Sequence, residues 1–183
     1  QGQNALFFVS LPDADELSSF LRFLYVKSFQ SENTLLPDWQ PSPQLLMKLE
    51  QPVPPKAAWT IDETPNLWQL SQSGLLGSAD SEAWYADACL RVNKGFAAVR
   101  AVHHENAWIA MAEAQCITPN GVYLTAVATA DAHRKKGCAS SLLASFAQSF
   151  DGVSIYLLCK PSLRKFYEKR GFALVHPVCE YLN

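Results

Sequence analysis

Shifts of hydrophobic period along the 183 residues predict an α+β fold, a sheet with helices on its faces. Three observations carry that expectation. An apolar stripe at helical spacing lies near the N-terminus, alternating apolar runs follow one another between residues 96 and 129, and a glycine-led helical stretch precedes a strongly apolar run after residue 137. With 49% hydrophobic and 17% charged residues, a chain of this length buries enough surface for one well-cored domain, spanning residues 1–183. Intrinsic disorder and collagen-like repeats are excluded by the same composition.

Residues 6–9 read as a short strand. Pro12, Asp13, Ala14, Asp15 and Glu16 make an acidic helix start, and Leu17, Phe20, Leu21 and Leu24 form its apolar face. Seven of the eleven prolines fall between Pro37 and Pro65, so long elements are broken there, although residues 44–50 have room for two helical turns. Trp39, Trp59 and Trp68 sit in or beside this stretch and have two readings: walls of an acceptor pocket, or aromatics buried against the sheet. Ser78, Ala79 and Asp80 are suited to cap a helix in which Tyr85, Ala88, Cys89 and Val92 share one face, and Asn93, Lys94 and Gly95 stop it.

The period then changes. Residues 96–102, 107–117 and 121–129 read as an antiparallel meander, with turns at His103, His104, Glu105 and Asn106 and at Pro119, Asn120 and Gly121. Beyond it we expect a helix over 137–150, a strand over 153–159 and a short helix over 162–170. Residues 172–175 and 178–182 complete the order as a closing strand pair around His176 and Pro177.

Charge is distributed unevenly. Up to residue 133, 7 Lys and Arg stand against 14 Asp and Glu, whereas from 134 onward 8 stand against 3. Such a split points to a positive site suited to a compact anion rather than to a nucleic acid, and its densest point is Arg134, Lys135 and Lys136. There a strand end (Val127, Ala128, Thr129) leads through a cationic turn into a helix that opens with Gly137, Cys138, Ala139 and Ser140. The first turn of a helix has unpartnered N–H groups and the positive end of the dipole, so this turn is an anion cradle. It matches neither the P-loop nor the dinucleotide fingerprint, which leaves a pyrophosphate ligand of another kind. The five cysteines are scattered, without C-x-x-C spacing; they read as reduced, packed thiols, and no metal site is expected.

The R-x-x-G-x-A core from Arg134 to Ala139 resembles the acyl-CoA-binding motif of the GNAT N-acetyltransferase superfamily. Phe166-Tyr167-Glu168-Lys169-Arg170-Gly171-Phe172 resembles that family's C-terminal F/L-Y-E-K-x-G-F element and follows after one intervening strand. The close resemblance covers residues 121–175; the N-terminal half agrees only in element order, and residues 25–78 with the turn at 103–106 would form the acceptor side. It implies a three-layer domain whose mixed, mostly antiparallel sheet splays at the acyl-CoA-binding strand. It further implies main-chain contacts from Val127, Ala128 and Thr129 to pantetheine, and N–H groups from Arg134, Lys135, Lys136, Gly137, Cys138, Ala139 and Ser140 to the pyrophosphate.

On the same resemblance Tyr167 would protonate the leaving CoA thiolate, and acetyl-CoA would be the co-substrate, with no metal. An N–H near Val127 is the candidate oxyanion donor. Glu113 is the candidate base because it interrupts an apolar strand, with a solvent-facing position as its alternative. His103, His104 and His133 read as turn residues, and Cys138 and Cys159 as packed thiols, since direct transfer is the family's usual route. The expected activity is N-acetyl transfer to a primary amine of a small molecule, peptide or protein. Its alternative is a non-catalytic acyl-CoA-binding sensor or scaffold of the same fold. No nucleic acid or membrane partner is expected, the location expected is cytoplasmic, and the chain would be a monomer or a homodimer with Val178 to Leu182 as a candidate interface.

Overall fold

The computed structural model describes residues 13–23, 28–31, 39–57, 59–77 and 80–182. The strand expected over residues 6–9 lies outside them, as do Ser78 and Ala79. The acidic start does begin a helix: α1 (Ala14–Phe23) opens where the Asp13 carboxylate accepts from the N–H groups of Asp15 and Glu16, both at 3.0 Å. After the four-residue strand β1 (Ser28–Ser31) comes β2 (Gln40–Leu49).

Strand β2 corrects the expectation of helical turns over 44–50. Leu45, Leu46 and Leu49 satisfy a helical spacing, Leu45, Met47 and Leu49 a period of two, and tertiary pairing decides for the strand. Residues 40–44 pair with β7 alone, and an edge without a second neighbour is where Pro41 and Pro43 are tolerated.

A short helix α2 (Leu67–Ser71), which the sequence analysis did not anticipate, is capped by the Asn66 side chain accepting from the Gln69 N–H at 3.0 Å. In α3 (Ser81–Asn93), Asp80 is the cap, accepting from the Ala83 N–H at 3.0 Å. The meander follows as β3 (Ala98–His104), β4 (Ala107–Thr118) and β5 (Gly121–Thr129). Glu105 and Asn106, both at positive φ, make the tight hairpin between β3 and β4. Helix α4 (Cys138–Ser149), strand β6 (Ser154–Cys159), helix α5 (Arg164–Glu168) and strand β7 (Phe172–Leu182) complete the order. Strand β7 is continuous through Pro177, so the expected closing pair is one strand; its partner is β2, and Val175 is the residue skipped in their register.

The seven described strands are ordered β1-β7-β2-β6-β5-β4-β3, with β5 and β6 parallel and every other pair antiparallel. On one face, Leu142, Phe146 and Ala147 of α4 and Tyr167 of α5 pack over Met47, Leu124 and Leu157. Leu17 and Leu21 of α1 pack on Trp39 and Tyr181. On the other face, α2 and α3 cover Val99, Ala101 and Met111. That layer lies over the β3–β5 half; no described helix covers the second face of β6, β2 and β7.

Two tie points fix the layers. Arg100 is 6% exposed, lies 4.6 Å from the Phe146 ring centroid, and donates to the hydroxyls of Ser145 and Ser149, both at 2.7 Å, which binds β3 to α4. Gly171 has φ +88, and a Cβ there would run into the carbonyl oxygen of Gln51. Its own carbonyl accepts from the N–H groups of Glu50 and Gln51 at 2.9 and 3.2 Å. The glycine of the second motif thus joins the turn before β7 to the end of β2.

Candidate functional site

The site begins where two parallel strands stop pairing. Strand β5 pairs with β6 only from Gly121 opposite Ser154 to Leu124 opposite Leu157, and then the strands part. Opposite Ala112 of β4, β5 carries a bulge, because Met111 pairs with Ala128 but Glu113 with Thr125. Ala126 takes a left-handed φ of +50 there, a conformation that costs a non-glycine residue about 1–3 kcal/mol. The bulge re-aims the main chain of Val127 next to the open side of β5, leaving the groups of Val127, Ala128 and Thr129 that face the split without a strand partner.

The turn beyond β5 is the one expected to cradle an anion. Lys135 and Gly137 are both left-handed, with φ of +63 and +95, on either side of Lys136, and α4 starts with no side-chain cap at Gly137. Left-handed residues at alternate positions bring main-chain N–H groups together, and the uncapped first turn adds those of Cys138, Ala139 and Ser140. Three side chains turn away from the cradle. Cys138 is buried and its thiol is pushed up by that burial; Ser140 accepts from Arg170 Nε at 2.6 Å; Ser141 donates to the Ala57 carbonyl at 3.0 Å.

Arg134 is folded back: it pairs with Asp131 at 2.8 Å and its Nε donates to the Thr129 carbonyl at 3.4 Å. An ion pair this exposed is worth about 0–1 kcal/mol, so an anion can readily take the guanidinium from it. Lys135 and Lys136 are exposed and make no ion pair among the described residues.

Trp59 holds this turn from outside. Its indole N–H donates to the Lys136 carbonyl at 2.9 Å, its backbone N–H donates to Ser141 Oγ at 3.2 Å, and the Ala57 carbonyl oxygen lies 3.3 Å from where a Gly137 Cβ would stand. The three tryptophans therefore do not form one pocket. Trp39 is buried against α1 with its N–H on Ser18 Oγ at 3.1 Å, and Trp68 is half exposed on α2, in edge contact with Tyr85.

Tyr167 is 5% exposed, between Phe166 and Phe172, with Cys159 and Tyr123 close enough to act on its hydroxyl. Burial, then these two neighbours, raises the hydroxyl far above its ordinary value and keeps the proton on it. Tyr123 reaches across the split from β5: burial and Glu180 raise its hydroxyl, and a backbone group of Leu158 on β6 pulls it down. Glu113 borders the same region through its pairing with Thr125, but it is 2% exposed and its Oε2 accepts from the Trp84 indole at 2.8 Å under α3. Burial raises its carboxyl above the ordinary value, opposed by the Trp84 bond.

Against the uncovered second face lies a groove of about 510 Å³ with Gln44, Gln115, Tyr123, Thr125 and Glu180 as its polar lining. None of these residues was singled out by the sequence analysis. The one local signal was the alternation that puts Tyr123 and Thr125 on one face of β5.

The acetyltransferase (GNAT) family profile matches residues 57–172, most of the chain and both motifs. The chain belongs to the GNAT family of acetyltransferases. Solved structures carry the same fold. A GNAT-family protein from Novosphingobium aromaticivorans superposes with a TM-score of 0.60 at 19% identity, covering 85% of this chain and 73% of its own. A protein of unknown function from Staphylococcus epidermidis gives 0.65 at 7% identity, over 93% and 78%. An aminoglycoside 6'-N-acetyltransferase complexed with coenzyme A gives 0.53 at 15% identity, over 68% and 96%. No curated protein matches the sequence. The GNAT match begins after β2 and ends at Phe172. No described helix is long and apolar enough to cross a membrane, and no described group of His, Cys, Asp and Glu is arranged to hold a metal ion.

Proposed function

We propose that the protein transfers an acetyl group from acetyl-CoA directly to a primary amine. The observation that carries this reading is the parting of β5 and β6 beyond Leu124, with a bulge on its open edge and the uncapped start of α4 beside it. Pyrophosphate would rest on the N–H groups from Arg134 to Ser140, neutralised by Lys135 and Lys136, and pantetheine would lie along Val127, Ala128 and Thr129 as an added strand.

The amine nitrogen attacks the thioester carbonyl carbon, a C–N bond forms and the C–S bond breaks. A main-chain N–H near Val127 stabilises the oxyanion, and Tyr167 gives its proton to the leaving sulfur. The proton lost by the ammonium then restores the tyrosine, so one proton passes overall from nitrogen to sulfur. We assign Glu113 to holding α3 through Trp84, since its carboxylate does not open on the groove.

Titration calorimetry with acetyl-CoA tests the reading. Saturable 1:1 binding that Gly137→Glu removes, followed by thiol release with an amine, is the expected result. A folded protein that binds no acetyl-CoA sinks it.

A further inference from the structure

We propose that the groove on the second face selects a compact, positively charged primary amine bearing further amine or hydroxyl groups, and that Glu180 is the residue that recognises its charge. The inference rests on the acyl-transfer reading for its chemistry, but the binding itself is independent of CoA. With α4 and α5 filling the first face, an acceptor reaches the split from the second, where the described residues leave about 510 Å³, the size of a small-molecule site rather than of a folded partner's footprint.

Its lining is polar for the inside of a sheet. Glu180 is the only charged residue among its described lining, and no described cation pairs with it: its described partner is Gln44, whose Nε2 donates to Oε2 at 3.3 Å. That contact orients the carboxylate and leaves its other oxygen for a ligand ammonium. A half-buried, unneutralised carboxylate attracts a cation more strongly than a surface one, because the surrounding dielectric is lower. Gln115 and Thr125 supply both donors and acceptors, the equipment for hydroxyl or amine groups elsewhere on the ligand.

Gln44 and Glu180 lie on two strands that pair side by side, β2 and β7. The Tyr123 hydroxyl, which feels Glu180, links the charged end of the groove to the split.

The test is titration calorimetry of spermidine and of glucosamine, without CoA, into the wild-type protein, Glu180→Gln and Gly137→Glu. At least one amine should bind saturably, about tenfold or more weaker in Glu180→Gln and unchanged in Gly137→Glu. Gln44→Lys, which sets a competing ammonium beside the carboxylate, should abolish the binding and stands in if Glu180→Gln does not fold. Amine binding that depends on Glu180 in a protein that ignores acetyl-CoA keeps this proposal and removes the acyl-transfer reading. Acetyl-CoA binding with neither amine bound, or with Glu180→Gln and Gln44→Lys binding them as wild type, overturns it. So does a lysine-containing tripeptide that binds about tenfold tighter than both amines, which would make the groove a peptide site.

Discussion

The proposed donor side of the split comes from one continuous stretch, Val127 to Ser140, whereas the groove side draws Gln44, Gln115, Tyr123, Thr125 and Glu180 from β2, β4, β5 and β7. On our proposal the donor side would work through main-chain N–H groups held by left-handed residues and a helix start, and the groove through side chains. A main-chain site depends on local conformation and tolerates many side chains, so the same core can be kept while the acceptor changes. A side-chain groove built across strands depends on register, and one residue's slip turns each side chain to the opposite face.

Four substitutions sharpen or break this contrast. Gly137→Glu should act most strongly on the donor side, lowering acetyl-CoA affinity by about 100-fold or more in calorimetry through like-signed charge and crowding at the cradle. It also meets the Ala57 carbonyl and a φ of +95, so a small loss of melting temperature should accompany it.

On the other side, Gly171→Ala should cost more than about 2 kcal/mol in denaturant unfolding, because a Cβ strikes Gln51 in a left-handed backbone and loosens the β2–β7 wall. If it unfolds like wild type, the groove does not depend on that junction. Tyr167→Phe should lower kcat about 100-fold or more in a thiol-release assay while acetyl-CoA affinity holds, the size of a lost general acid. An unchanged kcat would make Tyr167 a packing residue.

Glu113→Gln should have the smallest effect, within about twofold on kcat, as suits a residue that holds α3 and does not reach substrate. Its stability effect has a sign. Burial raises the folded-state pKa above the unfolded one, so this carboxyl's contribution to stability is present in full below the unfolded value and is lost as pH rises through the folded value. The glutamine variant should therefore be at least as stable as wild type at neutral pH, with its advantage shrinking on acidification. A kcat loss of about 100-fold in a folded Glu113→Gln would return the base role to Glu113.

The elements that were legible are those whose signals are local. The caps at Asp13 and Asp80, the meander turns, the β5-to-α4 turn and the α5 motif all lie within a few residues of the structure they specify. Residues 44–50 misled for a definite reason. Their apolar pattern fits two periods, and the evidence that decides between them sits far along the chain, in residues 156–159 of β6 and 172–182 of β7. Likewise Pro177 looked like a break between two strands, but it lies within a continuous β7 paired with Leu45.

By itself the sequence determined the family, the turn from β5 into α4 and the placing of Tyr167 after it, because turn residues, left-handed glycines and helix starts are properties of neighbouring residues. Only the tertiary structure decided that β2 enters the sheet between β6 and β7, that Trp59 braces the phosphate turn, that Glu113 is sealed under Trp84, and that Glu180 faces a groove. Each of these is a meeting of side chains or strands distant in the chain. What brings them together is the competition of all strands for partners and of all apolar faces for burial, which no local window of sequence contains.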